Sequence, residues 1–447
     1  MHGAGGPAGA ALFGASAIWV ATALFVLTYA VIMSDKLNRA IVALLGAGLL
    51  ILTGIVDQKE AMAAVDWNTL GLLLGMMLIV NITRRSGLFQ YVAIWSAKKV
   101  DASPWGIMLM MSIVTAVFSA FLDNVTTVLL TVPVTMLITE ELKVKPYPYL
   151  FAQIFASNIG GTATLIGDPP NIMIGSATGL TFNDFAIALT PVIVVVFVAT
   201  MIPLYYVWGR YLRATEENRR HVMSFNENEA ITDSRLLKQS LAVIALVIAG
   251  FMLQRQTGIE PATTAIFGAA VLLLLDNLGK DSETQSKNVH GALSEAEWIT
   301  LMFFLGLFVL VFGIQKAGLI DMMAKYLLDV TGGDFKLMAL AILWGSAILS
   351  AFIDNIPFVA TMIPLIKAMA PTFGGEQALI PLWWALSLGA CLGGNGTLIG
   401  ASANLVVAGL AERAGTTFRF VEFLKVAFPL MLISIFLSHA YLQLRYL

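Results

Sequence analysis

Long apolar runs separated by short polar segments recur along the whole chain, and ten of these runs have the length of a transmembrane helix. About 20 apolar residues cross the hydrocarbon core of a bilayer as a helix. The strands of a membrane β-barrel would instead alternate apolar and polar residues, so the pattern predicts a helical bundle. The predicted spanning helices are 16–33, 40–56, 68–83, 149–176, 187–208, 239–253, 261–275, 298–314, 380–410 and 426–443.

Two further apolar segments, 105–139 and 336–370, are interrupted at their centres by the pairs Asp123-Asn124 and Asp354-Asn355. Each segment is long enough to cross the membrane twice, and the central polar pair predicts a re-entrant hairpin with the pair at its tip. With both termini outside, most of the 26 Lys and Arg residues fall on the inner side, as the positive-inside rule requires.

The segment 209–238 is the only long polar linker, and it joins two halves that repeat each other. An offset of 231 residues carries Gly75 onto Gly306 and Asp123-Asn124 onto Asp354-Asn355. With an offset of 233, Asn171 falls on Asn404 within two matching glycine-rich segments. We interpret these matches as an internal repeat.

Each half contains five predicted crossings, so the second half enters the membrane in the opposite orientation. The predicted fold is an all-α polytopic membrane protein with ten spanning helices and two re-entrant hairpins. The first inverted repeat is 1–208 and the second is 239–447, with broken helices at 149–176 and 380–410. Inverted repeats are typical of secondary transporters, in which the site lies between the copies.

Composition agrees with this class: 58% of the 447 residues are hydrophobic, 12% are charged, and the mean hydropathy is +0.83. The net charge of −2 gives no reason to expect nucleic acid as a partner. A single cysteine excludes an intramolecular disulfide framework. Residues 1–10 lack the basic region of a cleavable signal peptide, so we expect the first helix to be retained.

The segment 157–171, SNIGGTATLIGDPPN, lies in an apolar run but cannot form a continuous helix. Three glycines loosen the helix, and Pro169-Pro170 lack amide donors. In a bilayer, irregular backbone is tolerated only where protein buries it or where it lines a wet cavity. We therefore predict a substrate site here and at the corresponding second-half segment, 393–404.

The sequences SAFLDNVTTVLL, SNIGGTATLIGDPPN and SAFIDN resemble the ArsB/NhaD-type permeases of the ion transporter superfamily. This group includes arsenite efflux permeases, sodium/proton antiporters and the pink-eyed dilution protein. The resemblance covers nearly the whole chain. It implies outer helices that hold a transport domain of hairpins and broken helices, often in a homodimer, and an elevator-like movement.

Buried carboxylates are costly in a membrane and often serve ion coupling, so Asp123, Asp168 and Asp354 are the candidate ligands for H+ or Na+. The alternative is that each Asp caps a helix that restarts after a break. The candidate substrate ligands are polar side chains at the four breaks: Asn124, Thr126, Ser157, Asn158, Thr162, Thr164, Asn171, Asn355, Asn395, Thr397, Ser402 and Asn404.

The second half has Ala401-Ser402-Ala403 where the first has Asp168-Pro169-Pro170, so the first copy alone keeps the acidic group. This difference predicts a coupling ion on the first-copy side and substrate contacts on the other. No Lys or Arg cluster is expected at the breaks, which counts against a strongly anionic substrate. Cys391 is a candidate soft ligand for a metalloid, with a small core residue as the alternative.

The sequence thus predicts a secondary transporter in a prokaryotic inner membrane that expels arsenite or antimonite in exchange for protons. Sodium/proton antiport is the first alternative, and an organic anion transporter or a channel is more distant. No phosphate-binding loop or metal-ligand spacing is present, so we expect no enzyme activity and no cofactor. The resemblance leaves open whether a soluble ATPase subunit docks on the cytoplasmic loops.

Overall fold

The computed structural model describes residues 16–34 and 36–447, and every regular element in these ranges is helical. Residues 1–15, for which the sequence predicts an uncleaved N-terminus, lie outside the described residues. The helices before the linker are α1 (Ala17–Met33), α2 (Arg39–Leu52), α3 (Gln58–Ala64), α4 (Trp67–Arg84), α5 (Leu88–Lys99), α6 (Pro104–Phe121), α7 (Asn124–Glu141), α8 (Tyr147–Thr162), α9 (Pro169–Thr178) and α10 (Phe182–Val207).

The linker contains one short helix, α11 (Glu216–Met223). The helices after it are α12 (Ser234–Met252), α13 (Gln254–Thr257), α14 (Pro261–Asn277), α15 (Ser282–Ser294), α16 (Trp298–Lys316), α17 (Leu319–Val330), α18 (Phe335–Phe352), α19 (Asn355–Ala368), α20 (Ala370–Phe373), α21 (Ile380–Gly393), α22 (Ser402–Arg413) and α23 (Phe420–Arg445). Four single 3-10 turns complete the helical structure: Gly209–Tyr211, Glu227–Ala230, Glu376–Leu379 and Gly394–Gly396.

Among the described residues, seven helices are long and apolar enough to cross a membrane. An eighth is formed if α3 and α4, which meet at 53°, make one span. The helix α2 has 14 residues and is therefore only about 21 Å long. The arms α6 and α18 have 18 residues each, so their length does not distinguish a re-entrant arm from a span. The number of ten spans and the re-entrance of the hairpins remain predictions.

Both Asp-Asn pairs lie at sharp turns between two helices, as the sequence predicts. Asp123 is the N-cap of α7, and its carboxylate accepts a hydrogen bond of 2.8 Å from the backbone nitrogen of Thr126. The hydroxyl oxygens of Thr115 and Thr131, which are equidistant in sequence from Asp123, lie 3.4 Å apart. The helices α6 and α7 therefore run antiparallel and form a hairpin. The second hairpin, α18 and α19, has the same arrangement around Asp354.

The two predicted broken helices are also present, each as a pair of helices joined by buried irregular backbone. In the first copy, α8 ends at Thr162 and α9 begins at Pro169. The two prolines occupy the first turn of α9, where a missing amide donor costs nothing. In the second copy, the break separates α21 from α22. The prolines therefore begin the second part of the broken helix rather than interrupting its interior.

Sixteen of the helices fall into two groups, each packed mainly within itself. The scaffold group consists of α1, α2, α4, α12, α14 and α16, and the core group consists of α6–α10, α18, α19 and α21–α23. Within the core group, α9 packs on the second hairpin and α22 packs on the first. Each broken helix therefore contacts the hairpin of the other copy.

Glycine allows two close helix crossings in the scaffold group. A Cβ atom on Gly75 of α4 would lie 2.6 Å from the carbonyl carbon of Ala265 on α14. A Cβ atom on Gly306 of α16 would lie 2.6 Å from the carbonyl carbon of Ala43 on α2. The two glycines correspond at the offset of 231 residues, and each crossing joins one helix of the first half to one helix of the second half.

Candidate functional site

Two asparagines, one from each copy, satisfy the backbone of the two breaks. Asn171 Nδ2 donates hydrogen bonds to the carbonyl oxygens of Thr162 (3.1 Å) and Thr164 (2.9 Å). Asn404 Nδ2 donates to the carbonyl oxygens of Gly394 (2.8 Å) and Thr397 (2.9 Å). These bonds supply the partners that the irregular backbone lacks within hydrocarbon.

Most of the predicted hydroxyl ligands are also bonded to backbone. The hydroxyl of Thr164 donates to the carbonyl oxygen of Ala120 at 2.5 Å, and that of Thr397 donates to the carbonyl oxygen of Ala351. The hydroxyls of Ser157 and Thr162 donate to carbonyl oxygens within α8, and Thr126 contributes its backbone nitrogen to the Asp123 cap. In this conformation Thr164 and Thr397 hold the hairpins against the breaks. The predicted role of all these groups in substrate binding stays a prediction.

Four buried asparagine side chains form a cluster between the two copies. Asn158 Nδ2 donates hydrogen bonds of 2.9 Å to the side-chain oxygens of Asn395 and Asn404. Its Oδ1 atom accepts a bond of 3.1 Å from Asn124 at the first hairpin tip. Within the described residues, Asn395 Nδ2 is buried without a hydrogen-bond partner. The cluster therefore joins the first hairpin and α8 to the second break and leaves one amide donor free.

Cys391 occupies the position in α21 that Asn158 occupies in α8. Its Sγ atom lies 3.7 Å from Asn171 Oδ1, which also accepts a hydrogen bond of 2.6 Å from the Ser387 hydroxyl. In the described part of the chain, no group of three or more His, Cys, Asp or Glu side chains could hold a metal ion. The thiol thus packs against an amide, and its role as a metalloid ligand stays a prediction.

The three candidate aspartates differ in how their carboxylates are used. Asp123 and Asp354 both cap helices, because each accepts a hydrogen bond from the backbone at the start of its helix. Asp168 stands at the N-cap position of α9 but makes no capping bond. Its carboxylate is fully buried and contacts Asn355 Nδ2 of the second hairpin at 3.3 and 3.5 Å. The capping alternative therefore applies to two of the three residues and not to Asp168.

One basic side chain, which the sequence analysis did not place there, reaches the second hairpin tip. Arg39 Nη1 donates to Ser402 Oγ at 2.5 Å and to Asp354 Oδ2 at 3.1 Å. The local sequence conceals this contact, because Arg39 is the first residue of α2 and is 315 residues from Asp354. Only the tertiary structure, which places the first residue of α2 at the second hairpin tip, brings the two charges together.

A small cavity of about 10 Å³ lies where the hairpin tips meet the scaffold group. This volume holds about one water molecule. Its charged and polar lining is Arg39, Asp123, Asn124, Asp168, Glu297, Thr300, Asn355 and Ser402. The structure therefore brings Asp123 and Asp168 to one cavity, and it adds three scaffold residues that the sequence analysis missed: Arg39, Glu297 and Thr300.

Comparison with known proteins fixes the family. A family model described as a citrate transporter (CitMHS) matches residues 29–389. The chain belongs to this citrate transporter family. It is 42% identical over 431 residues to an uncharacterized transporter of Mycobacterium bovis, an alignment that covers 96% of this chain and 98% of the relative. The human P protein is 33% identical over 509 residues, with 95% of this chain and 59% of that protein covered.

The crystal structure of the YdaH transporter from Alcanivorax borkumensis has a similar fold. The TM-score is 0.56 at 16% sequence identity, and the match covers 95% of this chain and 98% of that chain. At this identity the likeness concerns the fold alone. The match to P protein confirms the resemblance to the pink-eyed dilution branch of the ion transporter superfamily. The protein is therefore a multi-pass membrane transporter.

Proposed function

We propose that this protein is a proton-coupled secondary transporter that moves a small solute without negative charge by alternating access. The observation that carries the proposal is Asp168, a fully buried carboxylate to which Asn355 donates the only amide hydrogen bond among the described residues. A carboxylate removed from water is stable when a proton or a cation neutralises it. Asp168 can therefore exchange a proton for another species whenever the cavity opens.

The charge of the cavity restricts the solute. Asp123, Asp168 and Glu297 face it, and its one guanidinium, on Arg39, is already paired with Asp354. This excess of carboxylates disfavours a free anion and accepts a neutral or cationic solute. Arsenite or antimonite as the neutral trihydroxide is the first candidate, because such a solute binds through hydrogen bonds to amides and carboxylates.

Sodium is the second candidate, and the size of the cavity favours it. A space for about one water molecule also accommodates a small dehydrated cation between two carboxylates. In this case Asp123 and Asp168 would bind sodium directly, and the reaction would be sodium/proton antiport. The family description names citrate, but a free tricarboxylate would meet like charges in this cavity.

The division of the helices into two groups suggests the movement. The core group contains the breaks and the hairpins, and it packs on the scaffold group through fewer helix pairs than occur within either group. An elevator-like shift of the core group would carry Asp168 from one side of the scaffold to the other. We also propose location in a prokaryotic inner membrane with both termini outside, and assembly as a homodimer. Docking of a soluble ATPase subunit remains an open alternative.

Flux measurements in sealed proteoliposomes test this function. An imposed pH gradient should drive accumulation of arsenite against its concentration gradient. The fluxes of sodium and citrate are measured in parallel. Accumulation of sodium but not arsenite would replace the first candidate with the second. Citrate accumulation would overturn the restriction to solutes without negative charge. Flux that only equalises concentrations would indicate a channel and contradict the proposal.

A further inference from the structure

The Arg39 guanidinium contacts two side-chain oxygen atoms, each of which lies at the start of a helix. Asp354 Oδ2 accepts a hydrogen bond of 2.7 Å from Ser402 Oγ, which lies on the first residue of α22. Arg39 Nη1 lies within hydrogen-bond distance of both oxygens. A carboxylate and a hydroxyl oxygen are the kind of ligands that protons and hard cations prefer. The guanidinium therefore stands where such a cation would bind.

The guanidinium is held from the scaffold side. Arg39 begins α2 directly after the Asn38 cap, and α2 packs along α16. Its Nη2 atom donates to Thr300 Oγ1 at 3.3 Å, and its Cζ atom lies 5.2 Å from the centre of the Phe303 ring. Thr300 and Phe303 both belong to α16. A shift of the core group would thus move Asp354 and Ser402 away while Arg39 stays in place.

The first hairpin also has an aspartate at its tip, but no basic side chain is paired with it in the described residues. Asp123 corresponds to Asp354, but Pro169 stands where the second copy has Ser402. Within residues 16–34 and 36–447, no Lys, Arg or His forms an ion pair with Asp123. The other charged groups that line the cavity beside Asp123 are Asp168 and Glu297, both acidic, and Arg39, whose guanidinium is paired with Asp354. The Arg39 charge is therefore directed to the second copy only.

We propose that Arg39 is a tethered cation that displaces the coupling cation from Asp354 and Ser402. In the present conformation the guanidinium neutralises Asp354, so a bound proton or sodium ion is released to water. After the core group shifts, Asp354 loses Arg39 and takes up a proton or sodium ion in its place. This inference rests on the proposed function, and it adds a release step that the Asp168 site does not supply.

The test compares net transport with exchange in the full-length protein. The variant Arg39→Gln should lose pH-driven net flux of arsenite or sodium at least tenfold more than it loses exchange of labelled for unlabelled solute. Exchange does not require release of the coupling cation, whereas net flux does. Arg39→Lys should retain more net flux than Arg39→Gln because it keeps the positive charge. The control Arg84→Gln, which removes an exposed pair with Glu295, should leave both rates unchanged.

A second measurement needs no transport assay. The thermal stabilisation of purified protein by NaCl, compared with choline chloride, and by protons, from pH 8 to pH 5, reports cation binding directly. Arg39→Gln should raise the apparent affinity for at least one cation about tenfold, and Arg39→Gln/Asp354→Asn should abolish this gain. Size-exclusion chromatography checks that each variant is folded.

The two measurements separate the inference from the proposed function. If wild type is proton-coupled but Arg39→Gln loses net flux and exchange equally, and its cation affinity is unchanged, the inference is wrong and the proposed function stands. If no candidate solute is accumulated but Arg39→Gln still raises the cation affinity, the competition at Asp354 is supported and the solute assignment fails.

Discussion

The two central breaks have the same backbone arrangement but different chemistry. Asn171 and Asn404 each bond two carbonyl oxygens of their own break, and the bonds to Thr164 and Thr397 are equivalent. At other positions the copies diverge: Asp168 corresponds to Ala401, and Asn158 corresponds to Cys391. The residues that the copies share therefore hold the broken helices together. The residues that differ place a carboxylate at position 168 and an amide at position 158 of the first copy, where the second copy has Ala401 and Cys391.

The divergent residues of the first copy contact the second copy. Asp168 meets Asn355 of the second hairpin, and Asn158 meets Asn395 and Asn404 of the second break. A change in the relative position of the two copies would therefore change the partners of the groups that carry the chemistry. This arrangement fits a transporter in which ion binding and movement are linked.

The largest effect is expected from removing the carboxylate that only the first copy has. Asp168→Asn should reduce pH-driven transport by about 100-fold, near the upper end of usual coupling free energies, because a carboxamide cannot take up the proton. Solute flux in proteoliposomes with and without a pH gradient measures this loss. Asp184→Asn, which weakens a partly exposed ion pair with Arg255 at the start of α10, is the matched control.

A variant that moves the carboxylate from the first break to the second tests whether the two breaks have different roles. In Asp168→Asn/Ala401→Asp the total charge is restored, but the new carboxylate does not face Asn355. We expect no recovery of coupling. Recovery to more than half of the wild-type rate would show that the two breaks are interchangeable and would contradict the division of roles.

The next largest effect is expected on the free energy of unfolding, when the corresponding residues Asn158 and Cys391 are each replaced by alanine. Asn158→Ala should cost about 2–4 kcal/mol, because buried amide groups of its three partners lose their hydrogen bonds. Cys391→Ala should cost about 1 kcal/mol or less, since the thiol is a weak donor that mainly packs. Thermal unfolding in detergent compares the two variants, and equal losses would refute the difference.

A smaller loss of stability, equal at the two positions, is expected where both copies have a glycine at a helix crossing. Gly75→Ala and Gly306→Ala should each destabilise the protein by about 1–3 kcal/mol, because the added methyl group overlaps backbone on the facing helix. Gly48→Ala is the control, since nothing lies within 4 Å of its added Cβ atom. Unequal losses at the two crossings, measured by thermal unfolding, would show that the scaffold copies are not equivalent.

The smallest effect is expected in the linker that joins the copies. A hydrogen bond from Lys98 lowers the pKa of Glu227 below its ordinary value. A lowered carboxyl pKa adds stability above the ordinary pKa, and this stability is lost as the pH falls through the lowered value. Glu227→Gln should thus give a slightly lower melting temperature at pH 7 and no difference at pH 3. Glu216→Gln, at a more exposed carboxylate, serves as the control.

Much of the architecture is predictable because its signals are local or periodic. The length of the apolar runs predicts a membrane protein, and the Asp-Asn pairs predict the hairpin turns. The offsets of 231 and 233 residues indicate the internal repeat. The boundaries differ by a few residues: the first predicted hairpin, 105–139, corresponds to helices that extend from Pro104 to Glu141. The first broken helix, predicted at 149–176, extends from Tyr147 to Thr178 around its break.

The site was predictable only in part. The carboxylates and amides at the breaks were identified, because an ionisable or polar residue in an apolar run is conspicuous. The hydrogen-bond partner of each group was not predictable, because a hydroxyl bonded to a backbone carbonyl and a hydroxyl that faces a cavity look the same in the sequence. Arg39 was missed for a related reason: a basic residue at the start of a helix resembles an ordinary membrane-flanking residue.

The sequence by itself determined the class, the repeat and the positions of the four polar breaks, because these depend on composition and on spacing along the chain. Only the tertiary structure decided that Asp168 faces Asn355, that Asn158 links the two copies, and that Arg39 neutralises Asp354. Each of these contacts joins residues more than 180 positions apart. Contacts over such separations depend on how helices pack, and packing is set by the shape of whole helix surfaces rather than by any local pattern.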